Sequence, residues 1–597
     1  MKLANDYLRL RKCFAHVTEE TAFPVTMNHI AEALFCTPRN AKLILNKLIE
    51  LNWLHFTPGK GRGHTSELTF LKRKQDILQI EATELIKTGN TQEAFELVAH
   101  YGDGAADRER FVEWLTNYFG YQVESTENQY VETLKLPIFR SINTLDPKDV
   151  FYALDSHLVQ QIFRPLVEYD FQSGEIRGSI AHHWSRNEEA TEWTFYLRKG
   201  VLFHHGRELI AHDVKFSLER LQSPDSKQQW LVQVIEAIEI ITPYVIRVKC
   251  KRSNYLLLHF LSFTPMSIVP KDRYEQPIEN RPALPIGCGP YKVDTLKPGM
   301  YALEAFSAYF QGRAFIDRIE ILIVPELQGE FIFEPKSEYL MVHSGETAKQ
   351  SVENWQEDVG LRGTSAFSIN IRKPGVLQDV SLRKALTWAI DRQKLVTELG
   401  ESRHYPSRSL QKLGEPVLHD PDWKYAEARQ ALQQSSYQGE KLKLYTYARH
   451  APDAYWLQKE YAKIGIQLEV NIVAWADMLL DSYKDQADLI LFEAMVSEGI
   501  MRNLETYQSP YSFVRSHLSE GLAATVDLLI EDLLAQPDER IRVEQLNHIE
   551  QLLLDEFAMV FLVYKSISTL SPPTMQGVQM SSNGWVNFKD IWYLITD

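Results

Sequence analysis

The chain has 597 residues, too many for one hydrophobic core, so two to four domains are expected. Its composition, 44% hydrophobic and 24% charged, is that of an ordinary globular protein. The net charge of −15 is unevenly spread: residues 1–75 hold 12 Lys/Arg against 6 Asp/Glu, and the remainder holds 52 against 73. A small basic head on a large acidic body suits a polyanion-binding module, because the body alone would be repelled by nucleic acid.

The opening residues do not read as a secretory signal. Asp6, Arg9, Arg11 and Lys12 interrupt any apolar core there. No run approaches the ~18 apolar residues of a membrane span. A cytoplasmic location without membrane contact is therefore expected. Cys13, Cys36, Cys250 and Cys288 are widely separated and form no CxxC pair, which predicts free thiols. No metal or other cofactor is expected.

Leu3, Tyr7, Leu10 and Phe14 recur at helical spacing over Leu3–Val17. Thr26 is placed to cap a second helix, roughly Met27–Phe35, burying Ile30, Ala31 and Leu34. Thr37 followed by Pro38 is a strong start signal for a third. There Ala41, Ile44, Leu45 and Leu48 face one way, and Arg39, Lys42 and Asn46 the other. Trp53–Thr57 and Glu67–Phe70 read as strands joined by PGKGRGHTS. The order is that of a winged helix-turn-helix over residues 1–75.

Double-stranded DNA is the partner this pattern fits. Arg39, Asn40 and Lys42 are best placed for base edges in the major groove, with Thr37 and Asn46 on the same helix. Lys60, Arg62 and His64 sit in a Gly-rich loop suited to phosphates or the minor groove. A solvated helix face beside an ordinary hairpin is the alternative; the ordered run of capped helix and basic hairpin favours DNA. GKGRG lacks the GxxxxGK[ST] spacing of a nucleotide loop and lies between strands.

Helical patterns continue through Asp76–Lys87, Gln92–Tyr101 and Arg108–Phe119, a connector ending in the polar stretch Glu124–Gln129. The expected division is 1–75 head, 76–128 connector and 129–597 body. Near the end, Lys441–Tyr447, Gln467–Val473 and Asp488–Phe492 read as strands alternating with helices Tyr455–Ile464 and Trp475–Tyr483. That alternation predicts an α/β lobe with a partly parallel sheet, whose ligands bind at the carboxyl ends of strands or between domains.

Ile180–Leu221 carries Trp184, Phe195, Leu197, Arg198, Phe203, His204, Gly206, Asp213, Val214 and Arg220 in the order and spacing of one known signature. It resembles that of the family 5 extracellular solute-binding proteins, the oligopeptide- and dipeptide-binding group. TLDP at Thr144–Pro147, IGCGPY at Ile286–Tyr291, Ser368–Arg392 and IGIQLEV at Ile464–Val470 follow in family order. The resemblance implies a two-lobed α/β fold of the type II periplasmic-binding-protein kind. With the basic head, and with GRGHTSELTFL at Gly61–Leu71 and NGWVNFKDIWY at Asn583–Tyr593, the whole chain resembles the SgrR family of transcriptional regulators. That implies a DNA-binding activator answering to a small-molecule effector such as a sugar phosphate. A binding component of an ABC transporter is the alternative.

Peptide-binding relatives carry a Trp-x-x-Asp segment whose Asp meets the peptide amino terminus; Asp488–Gly499 lacks it, leaving Glu493 or Glu498 as substitutes. An anionic effector instead calls for cations such as Arg372. The ligand candidates are Asn370, Arg372, Trp388, Glu493 and Trp585. His182, His183, His204, His205 and His212 form no HExxH or Cys/His pattern, and FHHG matches a structural turn of the family. No GxSxG, SxxK or catalytic-cysteine context is present, so no enzyme is expected. The effector's identity and the oligomeric state are left open.

Overall fold

The computed structural model describes residues 2–59, 65–126, 129–138, 141–171, 173–276, 284–324, 342–344, 356–400, 402–410, 422–495, 499–579 and 585–594. Two units divide the chain. The first is Met1–Ser141, Val293–Glu304 and Asp317–Leu340; the second is Ile142–Lys292, Ala305–Ile316 and Met341–Asp597. Each unit is therefore assembled from segments distant in sequence, and the chain passes between them several times.

The first unit opens with α1 (Lys2–Cys13), β1 (Phe23–Val25), α2 (Met27–Ala33), α3 (Pro38–Glu50), β2 (Leu54–Thr57) and β3 (Ser66–Phe70). The strands form one antiparallel sheet in the order β1-β3-β2. The Thr26 hydroxyl accepts the His29 N–H and caps α2. This helix stops before the expected Phe35, because Phe35 turns left-handed at φ +50 and the Cys36 N–H closes back on the Ala31 carbonyl. Ala41, Ile44, Leu45 and Leu48 of α3 are buried, each larger side chain contributing about 1.5–3 kcal/mol of apolar transfer. Tyr7 is the central pin: its ring lies edge-on to Trp53 at 5.5 Å and to Phe70 at 5.7 Å, and its hydroxyl donates to the Lys72 carbonyl.

Next come α4 (Lys74–Lys87), α5 (Thr91–Tyr101) and α6 (Ala105–Tyr118). A hairpin of β4 (Gly120–Thr126) and β5 (Gln129–Ile138) follows, so the chain on both sides of the expected boundary at 128 joins one sheet. That sheet runs Tyr291–Lys297, Met300–Ala305, Arg318–Ile323, β5, β4, with Arg318–Ile323 parallel to β5. The helices lock onto it through close backbone approach. Gly89, between α4 and α5, has φ +83, and a Cβ there would sit 2.8 Å from that of Met300. A Cβ on Gly299 would lie 2.0 Å from the Gly89 carbonyl oxygen.

In the second unit, which also holds α7 (Ala153–Ile162), an antiparallel sheet runs Ile235–Thr242, Val245–Cys250, Glu192–Leu197, Ala181–Arg186. A larger mixed sheet has the order Val342–Ser344, Met559–Ser571, Gln356–Ile369, Leu489–Met495, Lys441–Thr446, Gln467–Ile472. Lys441–Thr446 is parallel to both of its neighbours, as the alternation of strands and helices predicts. The helix expected over Trp475–Tyr483 is two short ones, Trp475–Met478 and Asp481–Gln486, because Leu480 between them is extended.

Candidate functional site

On α3, Arg39, Asn40, Lys42 and Asn46 are all solvent-exposed, opposite the buried stripe. The Thr37 hydroxyl accepts the Asn40 N–H at 3.4 Å, so it caps the helix and fixes where its first turn begins. Among the described residues, no ion pair engages Arg39, Lys42 or Lys47. Lys60, Arg62 and His64 lie outside the described residues; at the base of their loop the Gly59 N–H donates to the Ser66 hydroxyl at 3.1 Å. A helix N-terminus flanked by unneutralised cations is able to enter a major groove.

The motifs at Ile180–Leu221 form a scaffold. The Gly287 N–H donates to His204 Nδ1 at 3.3 Å, and His204 Nε2 donates to the Gly289 carbonyl at 3.1 Å. Burial pushes this imidazole down to about 4, so it is neutral and serves as a bracket. Gly287 and Gly289 are required there: a Cβ on either would fall 2.0 or 2.4 Å from the carbonyl oxygen of Ile162 or Gln161. Arg207 forks onto Asp213 through two nitrogens, and Arg220 Nη2 donates to both carboxylate oxygens of Asp146 in the TLDP segment. Among the described residues no group of three His, Cys, Asp or Glu is arranged to hold a metal ion.

The parallel strands Gln467–Ile472, Lys441–Thr446 and Leu489–Met495 gather chemistry at their carboxyl ends, where open α/β sheets bind ligands. Tyr447 meets Trp475 at 4.9 Å, and Trp475 meets Phe513 at 5.8 Å. Tyr152, preceding α7, packs on the same indole at 5.3 Å. At the same strand ends Arg449 faces Glu493 at 4.0 Å, their side chains 13% and 3% exposed.

A buried ionic cluster lies behind. Arg403 holds Asp453 through two bonds of 3.1 and 2.6 Å, and Lys565 approaches the same carboxylate at 3.3 Å. Burial alone would push the Asp453 carboxyl up; Lys565 and Arg403 outweigh it and hold it at about 2. Lys565 only donates, so His450 Nδ1, 3.4 Å away, accepts. His450 Nε2 therefore carries the proton that it gives the Tyr447 hydroxyl at 2.8 Å.

The five ligand candidates are not brought together. Glu493 lies among the residues above. Asn370 is at the opposite edge, where its amide donates to the Ala487 carbonyl at 2.9 Å and its backbone N–H to that of Asp488. At ~3.4 Å per residue the step from Asp488 to Glu493 is roughly 17 Å. Arg372 is exposed at Asn370's edge. Trp388 is edge-on to Phe557 at 5.7 Å with Lys384 and Lys424 near its face. Trp585 stacks on His157 of α7 at 5.7 Å. Tyr152, Arg449 and His450 carried no signal in the sequence, and Tyr447, expected to close the strand Lys441–Tyr447, instead follows one that ends at Thr446.

A solute-binding α/β fold with a winged-helix head is the class these features define. The chain matches the family model of bacterial extracellular solute-binding proteins, family 5 Middle, over residues 175–499, and that of the sugar transport-related sRNA regulator N-terminal region over residues 2–125. It belongs to the family 5 solute-binding proteins, in the SgrR branch that bears this N-terminal region. The uncharacterized protein YhjP of Bacillus subtilis (strain 168) is 31% identical, over 99% of this chain and 100% of its own length. The HTH-type transcriptional regulator SgrR of Yersinia enterocolitica is 27% identical over 99% and 98%. Among solved structures, the ABC transporter-associated periplasmic binding protein DppA from Helicobacter pylori, in complex with peptide STSA, aligns with a TM-score of 0.68 at 19% identity, over 77% of this chain and 98% of that one. No helix among the described residues is long and apolar enough to cross a membrane.

Proposed function

We propose that this chain is a transcriptional regulator that binds double-stranded DNA through α3 and the β2–β3 loop and answers to a small solute held by its second unit. The carrying observation is the exposed cationic face of α3 in one chain with a solute-binding fold, an order shared with HTH-type regulators along the whole length. Arg39, Asn40 and Asn46 read base edges; Lys42, expected from the sequence among the base readers, flanks that face and adds phosphate attraction instead, and Lys60, Arg62 and His64 belong to the second contact. The protein acts in the cytoplasm, and its task is binding, without a catalytic step.

The solute site is at the carboxyl ends of the parallel strands, with Arg449, Glu493, Tyr447 and Trp475 as contacts. A sugar phosphate is the first effector to try: aromatic rings pack on sugar faces, and the guanidinium takes the phosphate in place of Glu493. Asn370, Arg372, Trp388 and Trp585, the other candidates offered by the sequence, lie apart from this site, with Asn370 holding the far end of the strands through Ala487 and Asp488. A solute shifts DNA affinity only as far as it binds one state better than the other. Thermal unfolding of the full chain with added hexose phosphates tests the site: a bound solute raises the midpoint, and Arg449→Met abolishes the rise.

A further inference from the structure

We propose that Leu43 reads a thymine methyl group in the major groove, making it a specificity-determining residue; this rests on the DNA-binding reading above. Leu43 is 56% exposed. Its position on α3 is what matters. At 3.6 residues per turn it lies within about 30° of the direction opposite the buried stripe of Ala41, Ile44, Leu45 and Leu48. Arg39 and Asn46 share that strip, as does Glu50 at the far end of the helix, with Lys42 and Lys47 flanking it. The leucine is therefore at the centre of the face that the cations would bring against a polyanion.

The surrounding charge selects the occupant. An apolar protein partner would have to desolvate Arg39, Lys42 and Lys47 to reach one leucine, with no ion pair among the described residues to neutralise them. Duplex phosphates neutralise all three while the helix enters the groove. Once there, Leu43 has no donor or acceptor for a base edge. The apolar group on a major-groove edge is the thymine C5 methyl, and an aliphatic side chain is its complement. Arg39, Asn40 and Asn46 read hydrogen-bonding edges; Leu43 adds a thymine preference that they do not supply.

The test uses the full chain and duplexes that it selects from a random library. Each thymine of the selected duplex is replaced in turn by uracil, which removes only the methyl, and binding is followed by fluorescence anisotropy at fixed salt. The wild-type chain is expected to lose about fourfold in affinity at one or two thymines, the worth of a buried methyl. Leu43→Ala should bind the thymine duplex about as weakly as wild type binds the uracil one, and no longer tell them apart. Leu43→Gln, which keeps side-chain length, should lose the discrimination too, and Leu43→Met should keep it. Lys42→Ala should weaken both duplexes alike and preserve their ratio. Unchanged thermal midpoints establish that the variants are folded. Retention of thymine–uracil discrimination by Leu43→Ala and Leu43→Gln, or its absence from the wild type, overturns the proposal and leaves DNA binding standing. Failure to enrich any duplex removes the DNA role itself, and Leu43's with it.

Discussion

Arg449 faces Glu493 at 4.0 Å across the carboxyl ends of two parallel strands. Both charged groups are nearly out of solvent, and a ligand that replaces one partner alters the balance of the site.

Breaking this pair from one side is therefore expected to be costly. Glu493→Leu alone should destabilise, because it removes the carboxylate that faces the largely buried guanidinium. Arg449→Met with Glu493→Leu should recover most of that loss while removing the solute response. Urea denaturation of the two variants, beside a thermal-shift titration with a hexose phosphate, measures both quantities.

Variants on α3 should act on DNA without touching the core. Arg39→Ala is expected to relax discrimination between the selected duplex and a point-mutated one by about tenfold, within the ~1–3 kcal/mol of a bidentate base contact. Thr37→Ala should cost about 1 kcal/mol of stability, since it removes the cap on the Asn40 N–H. Competition binding and thermal unfolding separate the two effects.

A pH dependence follows from Asp155. This carboxylate accepts backbone N–H groups of Asn143 and Thr144, yet burial prevails and raises its pKa to about 6 from 3.8. A raised pKa means that the folded state prefers the protonated form. The contribution is fully present below 3.8 and lost as pH rises through about 6. Asp155→Asn keeps an acceptor oxygen and carries no charge, so it should gain up to about 3 kcal/mol at pH 7.5 and flatten the stability curve between these values. Chemical denaturation across that range checks the sign.

Gly299 marks where the helical connector meets the sheet of the first unit. A Cβ there would lie 2.0 Å from the Gly89 carbonyl oxygen and 2.9 Å from the Thr91 hydroxyl, with backbone unable to yield cheaply. Gly299→Ala should lower stability by about 1–3 kcal/mol, as overpacking does elsewhere. Gly312→Ala, with open space around it but φ +93, should cost only the backbone penalty of about 1–2 kcal/mol. Thermal unfolding of the pair distinguishes close approach from backbone strain.

Much of this architecture was legible because local signals and tertiary demands agree. Thr37 and Pro38 start α3 where capping chemistry places it, and its 3.6-residue period picks out the buried face. The anchors around His204, Asp213 and Arg220 were legible as a pattern, but their work was not: it depends on Gly287, Gly289, Asp272 and Asp146, far away in sequence. β1 was missed, since three residues with Pro24 at the centre have no periodicity and pair only because β3 offers its edge. The solute residues were hardest. Asn370 and Glu493 lie in motifs far apart in sequence, and antiparallel pairing, which puts Ile369 opposite Leu489, sends the two to opposite ends of the strands.

The most direct measurement is the affinity of the full-length protein for its selected duplex, with and without saturating solute, at fixed salt. A coupling of about 1–3 kcal/mol, a shift of roughly 5- to 150-fold in Kd, is predicted for the wild type and none for Arg449→Met. An unchanged Kd while a thermal shift shows the solute bound, or no affinity above that of an acidic control protein, would contradict the account.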